Sequence, residues 1–151
     1  MILRLLIGLA CTLVCASSAA QVEFTQAEKD AAIIKSFNGI IAKYPSSDEA
    51  WMGHYYIAVT FADQGKFADA EKEWQLVVDK GSKEYAALSR YSLAQLYAKQ
   101  NKLADAEKQL RYLADNPTTL FSKENAQIEL AKLIAPTKPD EARKILEPLR
   151  Q

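Results

Sequence analysis

His54, Cys11 and Cys15 are the residues of this chain whose side-chain chemistry would first suggest a catalytic or metal site. His54 is the single histidine of the chain. A zinc site gathers several Cys, His or carboxylate ligands around the ion, and a lone His on a helix-patterned stretch reads instead as a packed or half-exposed structural residue. Both cysteines fall within the first 15 residues, inside an apolar run and away from the patterned remainder. They offer no metal or redox pair to a folded domain, and if that run is removed the chain keeps no thiol to report on its redox compartment. The acidic pairs Asp69/Glu71 and Asp105/Glu107 are spaced by two, so they point to different sides of a helix and read as solvated residues rather than acid–base pairs. Neither a glycine-rich phosphate loop nor a nucleophile motif is present. The chemistry-bearing residues therefore point away from an enzyme, a cofactor or a metal, and toward a surface that holds something.

Composition supports that direction. The 19 basic and 19 acidic residues cancel, leaving no basic surplus for nucleic acid or an anionic membrane surface. With 49% apolar residues in a chain of 151, there is enough for one sizeable core, and 5 Gly and 5 Pro leave little room for disorder.

The elements that must position such a surface are announced by an internal repeat. Lys66-Phe67-Ala68-Asp69-Ala70-Glu71-Lys72 recurs 36 residues later as Lys102-Leu103-Ala104-Asp105-Ala106-Glu107-Lys108, with six of seven residues identical. Ile57-Ala58 precedes Leu93-Ala94 by the same offset, as Phe61 precedes Tyr97 and Trp74 precedes Leu110. A third copy is weaker: Ala142 and Leu146 keep the offset, but Leu130-Ala131 sit one residue late, which predicts a shorter turn around Pro136–Pro139. Each copy reads as helix, turn, helix. Phe67, Ala70, Trp74, Val77 and Val78 share one helical face. Gly65 and Asn101 suit a left-handed helix end. Ala70 and Ala106 let helices approach closely.

This pattern resembles the tetratricopeptide repeat (TPR) over roughly residues 47–150. Where that family favours Trp early in the first helix, this chain has His54 and Arg90. Where it favours Gly after the Leu, the chain has Ala58 and Ala94, and its closing Pro is matched only by Pro117. The resemblance implies an all-α fold, a right-handed α-solenoid of about three TPR-like repeats over 47–151, led by an N-terminal capping helix in 21–46.

Along the chain, residues 1–20 read as a signal peptide: Arg4, an apolar run from Leu5 to Val14, then Ser18-Ala19-Ala20 for cleavage, leaving Gln21 first. A periplasmic or secreted location follows. Retention of the leader as an inner-membrane anchor, or lipidation of Cys15 despite the bulky Val14 before it, would add membrane association. Thr25-Gln26-Ala27-Glu28 forms a capping box for a helix to about residue 43, with an apolar stripe of Ala32, Ile33, Phe37, Ile40, Ile41 and Tyr44. Tyr44-Pro45 ends it. A second capping-box pattern, at Ser46 and Glu49, opens a helix to about 64. Further helices are expected over 67–80 (stopped by Gly81), 83–100, 103–115 and 123–135. The last begins at Pro139 and has a polar outer side, as a terminal repeat needs.

In TPR proteins the first helices of the repeats line a concave groove. The resemblance assigns that face to Met52, Tyr55, Val59 and Asp63, then Leu88, Tyr91, Gln95 and Lys99, then Asn125, Ile128 and Lys132. Tyr55 and Tyr91 occupy equivalent slots and would either meet a ligand or pack between repeats. The Lys and Asn clamp that some TPR domains use for a C-terminal carboxylate is absent, which favours an extended or helical segment with apolar side chains. With the leader and Lys43-Tyr44-Pro45-Ser46-Ser47, the whole is similar to bacterial envelope TPR scaffolds. A holdase for exported clients, an ancillary subunit of a secretion or assembly complex, and an enzyme or its regulatory subunit are the other readings carried forward.

Overall fold

The computed structural model describes residues 24–150, and the expected leader, with Arg4, Cys11 and Cys15, lies outside them. Seven α-helices follow one another: α1 (Gln26–Lys43), α2 (Asp48–Asp63), α3 (Phe67–Lys80), α4 (Lys83–Lys99), α5 (Leu103–Asp115), α6 (Lys123–Ile134) and α7 (Pro139–Leu146). A 3-10 turn, Glu147–Arg150, completes them, and no strand occurs among the described residues. Each helix packs mainly on its neighbours along the chain, with a lesser contact between α2 and α4. This is the expected all-α solenoid: α2/α3, α4/α5 and α6/α7 are three helical hairpins, and α1 lies on α2.

The small residues carry the close approaches. Ala58, Ala94 and Ala131 in the first helices, and Ala70, Ala106 and Ala142 in the second, are each 4% exposed or less. Around them the core falls into two clusters. Trp74, Leu93 and Leu96 pack with Ala58 and Ala70, while Leu110, Leu113, Phe121, Leu130 and Ile134 pack with Ala94, Ala131 and Ala142.

Two turns are copies of each other down to the hydrogen bonds. Gly65 has φ 72° and Asn101 has φ 59°. The amide of Lys66 donates to the Phe61 carbonyl and that of Lys102 to the Tyr97 carbonyl, both at 2.8 Å, closing the 6→1 bond of a Schellman end. Gly81 stops α3 for a different reason. Its φ is −75°, but a Cβ there would lie 2.5 Å from the Val77 carbonyl oxygen.

Three local expectations need correction. The cap of α2 is Ser47, whose hydroxyl accepts from the Ala50 amide at 3.2 Å, and not Ser46. The third hairpin differs in its helix as well as its turn: α6 ends at Ile134, and residues 135–138 make a turn one residue longer than residues 100–102. Pro136 has no amide to donate into the helix, so the helix gives way there. Finally, the outer part of α1 is less covered than its apolar stripe implies. Ile33 is 40% exposed and Tyr44 53%, Ala32 is exposed, and Asp30 is the buried residue of that helix. The capping box itself is present, with the Thr25 amide donating to Glu28 Oε2 at 2.8 Å and the Glu28 amide donating to Thr25 Oγ1 at 3.3 Å. That first contact holds the Glu28 carboxyl below the ordinary range.

Candidate binding groove

The residues of α1, α2, α4 and α6 form one face with four depressions. The first, about 280 Å³, lies between α1 and α2 and includes Asp30, Ile33, Phe37, Tyr56, Val59 and Asp63. The second, about 270 Å³, lies between α2 and α4 and includes Tyr55, Val59, Asp63, Trp74, Gln95 and Lys99. The third, about 240 Å³, lies between α4 and α6 and includes Tyr91, Gln95, Glu129 and Lys132. The fourth, about 750 Å³, lies between α6, α7 and the 3-10 turn and includes Ile128, Lys132, Leu146 and Leu149. Neighbouring depressions share residues: Val59 and Asp63, then Gln95, then Lys132. They are therefore segments of one continuous surface.

Of the residues assigned from sequence, Tyr55, Val59, Asp63, Tyr91, Gln95, Lys99, Ile128 and Lys132 stand in these depressions. Met52, Leu88 and Asn125 do not line them. Leu88 packs on the larger core cluster, and Asn125 is exposed outside them, with only its backbone amide donating to Ser122 Oγ at 3.2 Å. The two tyrosines pack against neighbouring rings. The Tyr55 ring lies 5.3 Å from Tyr56 and 6.4 Å from Tyr85, and that of Tyr91 lies 4.8 Å from Phe121. Both remain half-buried walls of a depression. Burial pushes the Tyr91 hydroxyl above its usual pKa, and the Glu129 carboxylate adds to the shift.

Sequence reasoning missed the contribution of α1. Phe37 stacks on Tyr56 with centroids 5.7 Å apart and planes 10° apart. Asp30 is 6% exposed and accepts from the Gln26 and Gln64 side-chain amides at 2.7 and 2.9 Å. The signal available was the i to i+4 spacing of Gln26 and Asp30 on the edge of the apolar stripe. The partner Gln64 comes from the end of another helix, 34 residues away. The groove face is thus acidic at its α1 end, with Asp30 and Asp63, and basic at its α7 end, with Lys132, Arg143 and Arg150.

The hairpins are held by polar clasps that repeat with the sequence. His54 Nδ1 meets Glu73 Oε2 at 2.8 Å, and 36 residues on Arg90 donates to Gln109 Oε1 at 2.8 Å. His54 therefore has a structural partner. In the second hairpin the Arg90 guanidinium also lies 3.9 Å from the centre of the Tyr112 ring. Further along, Glu107 accepts from Lys138 at 2.9 Å and from Arg111 at 2.6 Å, and these two partners, Lys138 first, hold its carboxyl below the usual range. Among the described residues no group of three or more His, Cys, Asp or Glu is placed to hold a metal ion. No described helix is long and apolar enough to cross a membrane.

The family model for the tetratricopeptide repeat-like domain matches residues 14–147. The chain belongs to this family. TPR-like domains are typically non-catalytic scaffolds for protein–protein contact. Comparison with curated proteins and with solved structures gives no match.

Proposed function

We propose that this TPR protein is an exported scaffold of the bacterial cell envelope, and that its groove holds a protein segment with apolar side chains. The observation that carries the groove reading is the run of four depressions joined by Val59, Asp63, Gln95 and Lys132. An extended segment crossing them would meet an aromatic or apolar wall in each hairpin, with acidic groups at one end and basic groups at the other. Charge of this kind sets the direction of a bound chain more than its affinity. Export rests on the leader pattern of residues 1–20. No catalytic role is assigned to the chain.

The test uses exposed groove residues, because Tyr55 and Tyr91 also hold the core and their removal would confuse folding with binding. Asp63 and Gln95 are exposed, and each lines two depressions. The native chain and a folded Asp63→Lys/Gln95→Lys variant would be used to capture partners from envelope extract. Recovery of one folded partner by the native chain alone supports the scaffold. Recovery of many unrelated unfolded clients would favour a holdase instead. Identical capture by both proteins would overturn the groove. Mass analysis of the mature protein tests export, with Gln21 the expected first residue. An intact leader in the membrane fraction would mean an anchored protein.

A further inference from the structure

The second and third depressions are each roofed by the first helix of the following hairpin. Ser92, Gln95 and Leu96 of α4 form that roof in one, and Glu129, Lys132 and Leu133 of α6 in the other. These are equivalent positions, 37 residues apart. The fourth depression is built on the same near wall. Ile128, Ala131 and Lys132 of α6, and Ala135 just after it, stand 37 residues after Tyr91, Ala94, Gln95 and Ala98 of α4, which line the third. Its other wall comes from α7 and the 3-10 turn, through Ala142, Leu146 and Leu149. Among the described residues no helix roofs it. It is correspondingly wider, about 750 Å³ against about 240 and 270 Å³.

We propose that this depression is a seat for one amphipathic helix of a partner protein, laid on α6 and α7 as α6 is laid on α4 and α5. The chain itself supplies the template for the occupant. Both roofing helices present a polar residue followed four positions later by Leu, as in Ser92/Leu96 and Glu129/Leu133, and i, i+4 spacing places the pair on one face. Charge selects further. The rim carries Lys132, Arg143 and Arg150 against Glu147. Lys132 meets Glu129 at 2.8 Å and Arg143 meets Asp140 at 3.5 Å, but both are exposed pairs of the kind that contribute little and exchange readily. The occupant is therefore a helix with Leu on its buried face and carboxylates at the edges. The seat is the last of the four depressions of the proposed groove, and the two readings are told apart by where substitutions act: Leu149→Asp tests the seat, Asp63→Lys/Gln95→Lys the rest of the groove.

The probe is a stapled peptide copying residues 122–136, since an unconstrained helix of this length is marginal in water. A second version carries Lys132→Glu. Binding to the purified full chain would be followed by fluorescence anisotropy, and the contacted residues by amide chemical shifts. Both peptides are expected to bind, the acidic one more tightly, with shifts at residues 142–149. Leu149→Asp in the protein should weaken both by about tenfold or more, as loss of a buried apolar anchor does. Arg150→Glu, at an exposed site, should weaken only the acidic version, by about twofold to fivefold. Asp63→Lys should leave both unchanged. The proposal is overturned if neither peptide binds, if Leu149→Asp has no effect, or if the chain self-associates in sedimentation and Leu149→Asp abolishes that, which would make a second copy the occupant.

Discussion

Replacing Trp74 by Ala tests the register on which every structural statement rests. The side chain is 5% exposed and sits between hairpins, against Ala58, Ala70, Leu93 and Leu96. Its Nε1 makes no hydrogen bond, so truncation orphans no partner and the loss is one of apolar burial and packing. Large aromatic to Ala changes at such sites cost ~3–5 kcal/mol. Against a total stability of ~5–15 kcal/mol this is a large fraction, equivalent to a fall of roughly 6–20 °C in melting temperature. The equivalent residue one repeat on is Leu110, 4% exposed, and Leu110→Ala should cost ~2–5 kcal/mol. Urea unfolding followed by circular dichroism measures both. A repeat array need not unfold as one unit, so the slope of each transition must be compared with that of the native chain. A loss below ~1 kcal/mol for Trp74→Ala would refute the packing of α3 between α2 and α4.

Other outcomes follow from the turns and the titrating groups. Gly65→Ala should destabilise by ~1–2 kcal/mol, because Gly65 is left-handed, whereas Asn101→Gly at the equivalent turn should cost little or even stabilise; thermal melts that reverse this order would contradict the turn geometry. The Leu120 amide donates to the Glu84 carboxylate at 2.9 Å and is the main reason that carboxyl lies below its usual range. With the folded pKa depressed, this contact is fully present above the ordinary carboxylate pKa of ~4.3 and is lost as pH falls through the lower folded value. The Leu120 amide shift should follow that titration, and Glu84→Gln should remove it. Tyr97 is pushed up to about 12, first by burial and then by Glu71, to which its hydroxyl donates at 2.9 Å. Its stabilising effect is present below the ordinary Tyr value of ~10 and is lost as pH rises through the folded value. A tyrosinate absorbance titration should therefore lose a late-titrating group in Tyr97→Phe, while Tyr85 and Tyr91, also raised, remain.

Most of the helical frame was legible because the chain repeats itself. The duplicated block and its flanks locate α2 to α5, and the left-handed turns at Gly65 and Asn101 follow from residue type. The third hairpin was harder. Its near wall keeps the repeat with an offset of 37 residues, while Pro136 moves the helix end, and offsets alone cannot say whether a residue is lost from a helix or a turn. In the groove, positions one helical face could supply were readable, such as Val59, Asp63 and Gln95. What was not readable came from elsewhere in the chain: Phe121 from a loop against Tyr91, Tyr85 beside Tyr55, and Asp30 held by Gln64. Those partners are set by tertiary packing and leave no period in the sequence. Leu88 shows the converse, for a position on the expected face can be absorbed by the core.

Contacts in this protein run almost wholly between helices that are adjacent along the chain. Low separation between contacting residues makes the loop closures of folding short and the reaction fast. It also means that a helix finds its principal partner as soon as the next one is available, without waiting for a distant strand or a far terminus. A chain delivered end first, whether from a ribosome or through a narrow pore, can thus acquire its structure piece by piece in the order it emerges. Of the described helices α1 would be the first to arrive, and α2 would give it the surface on which to settle.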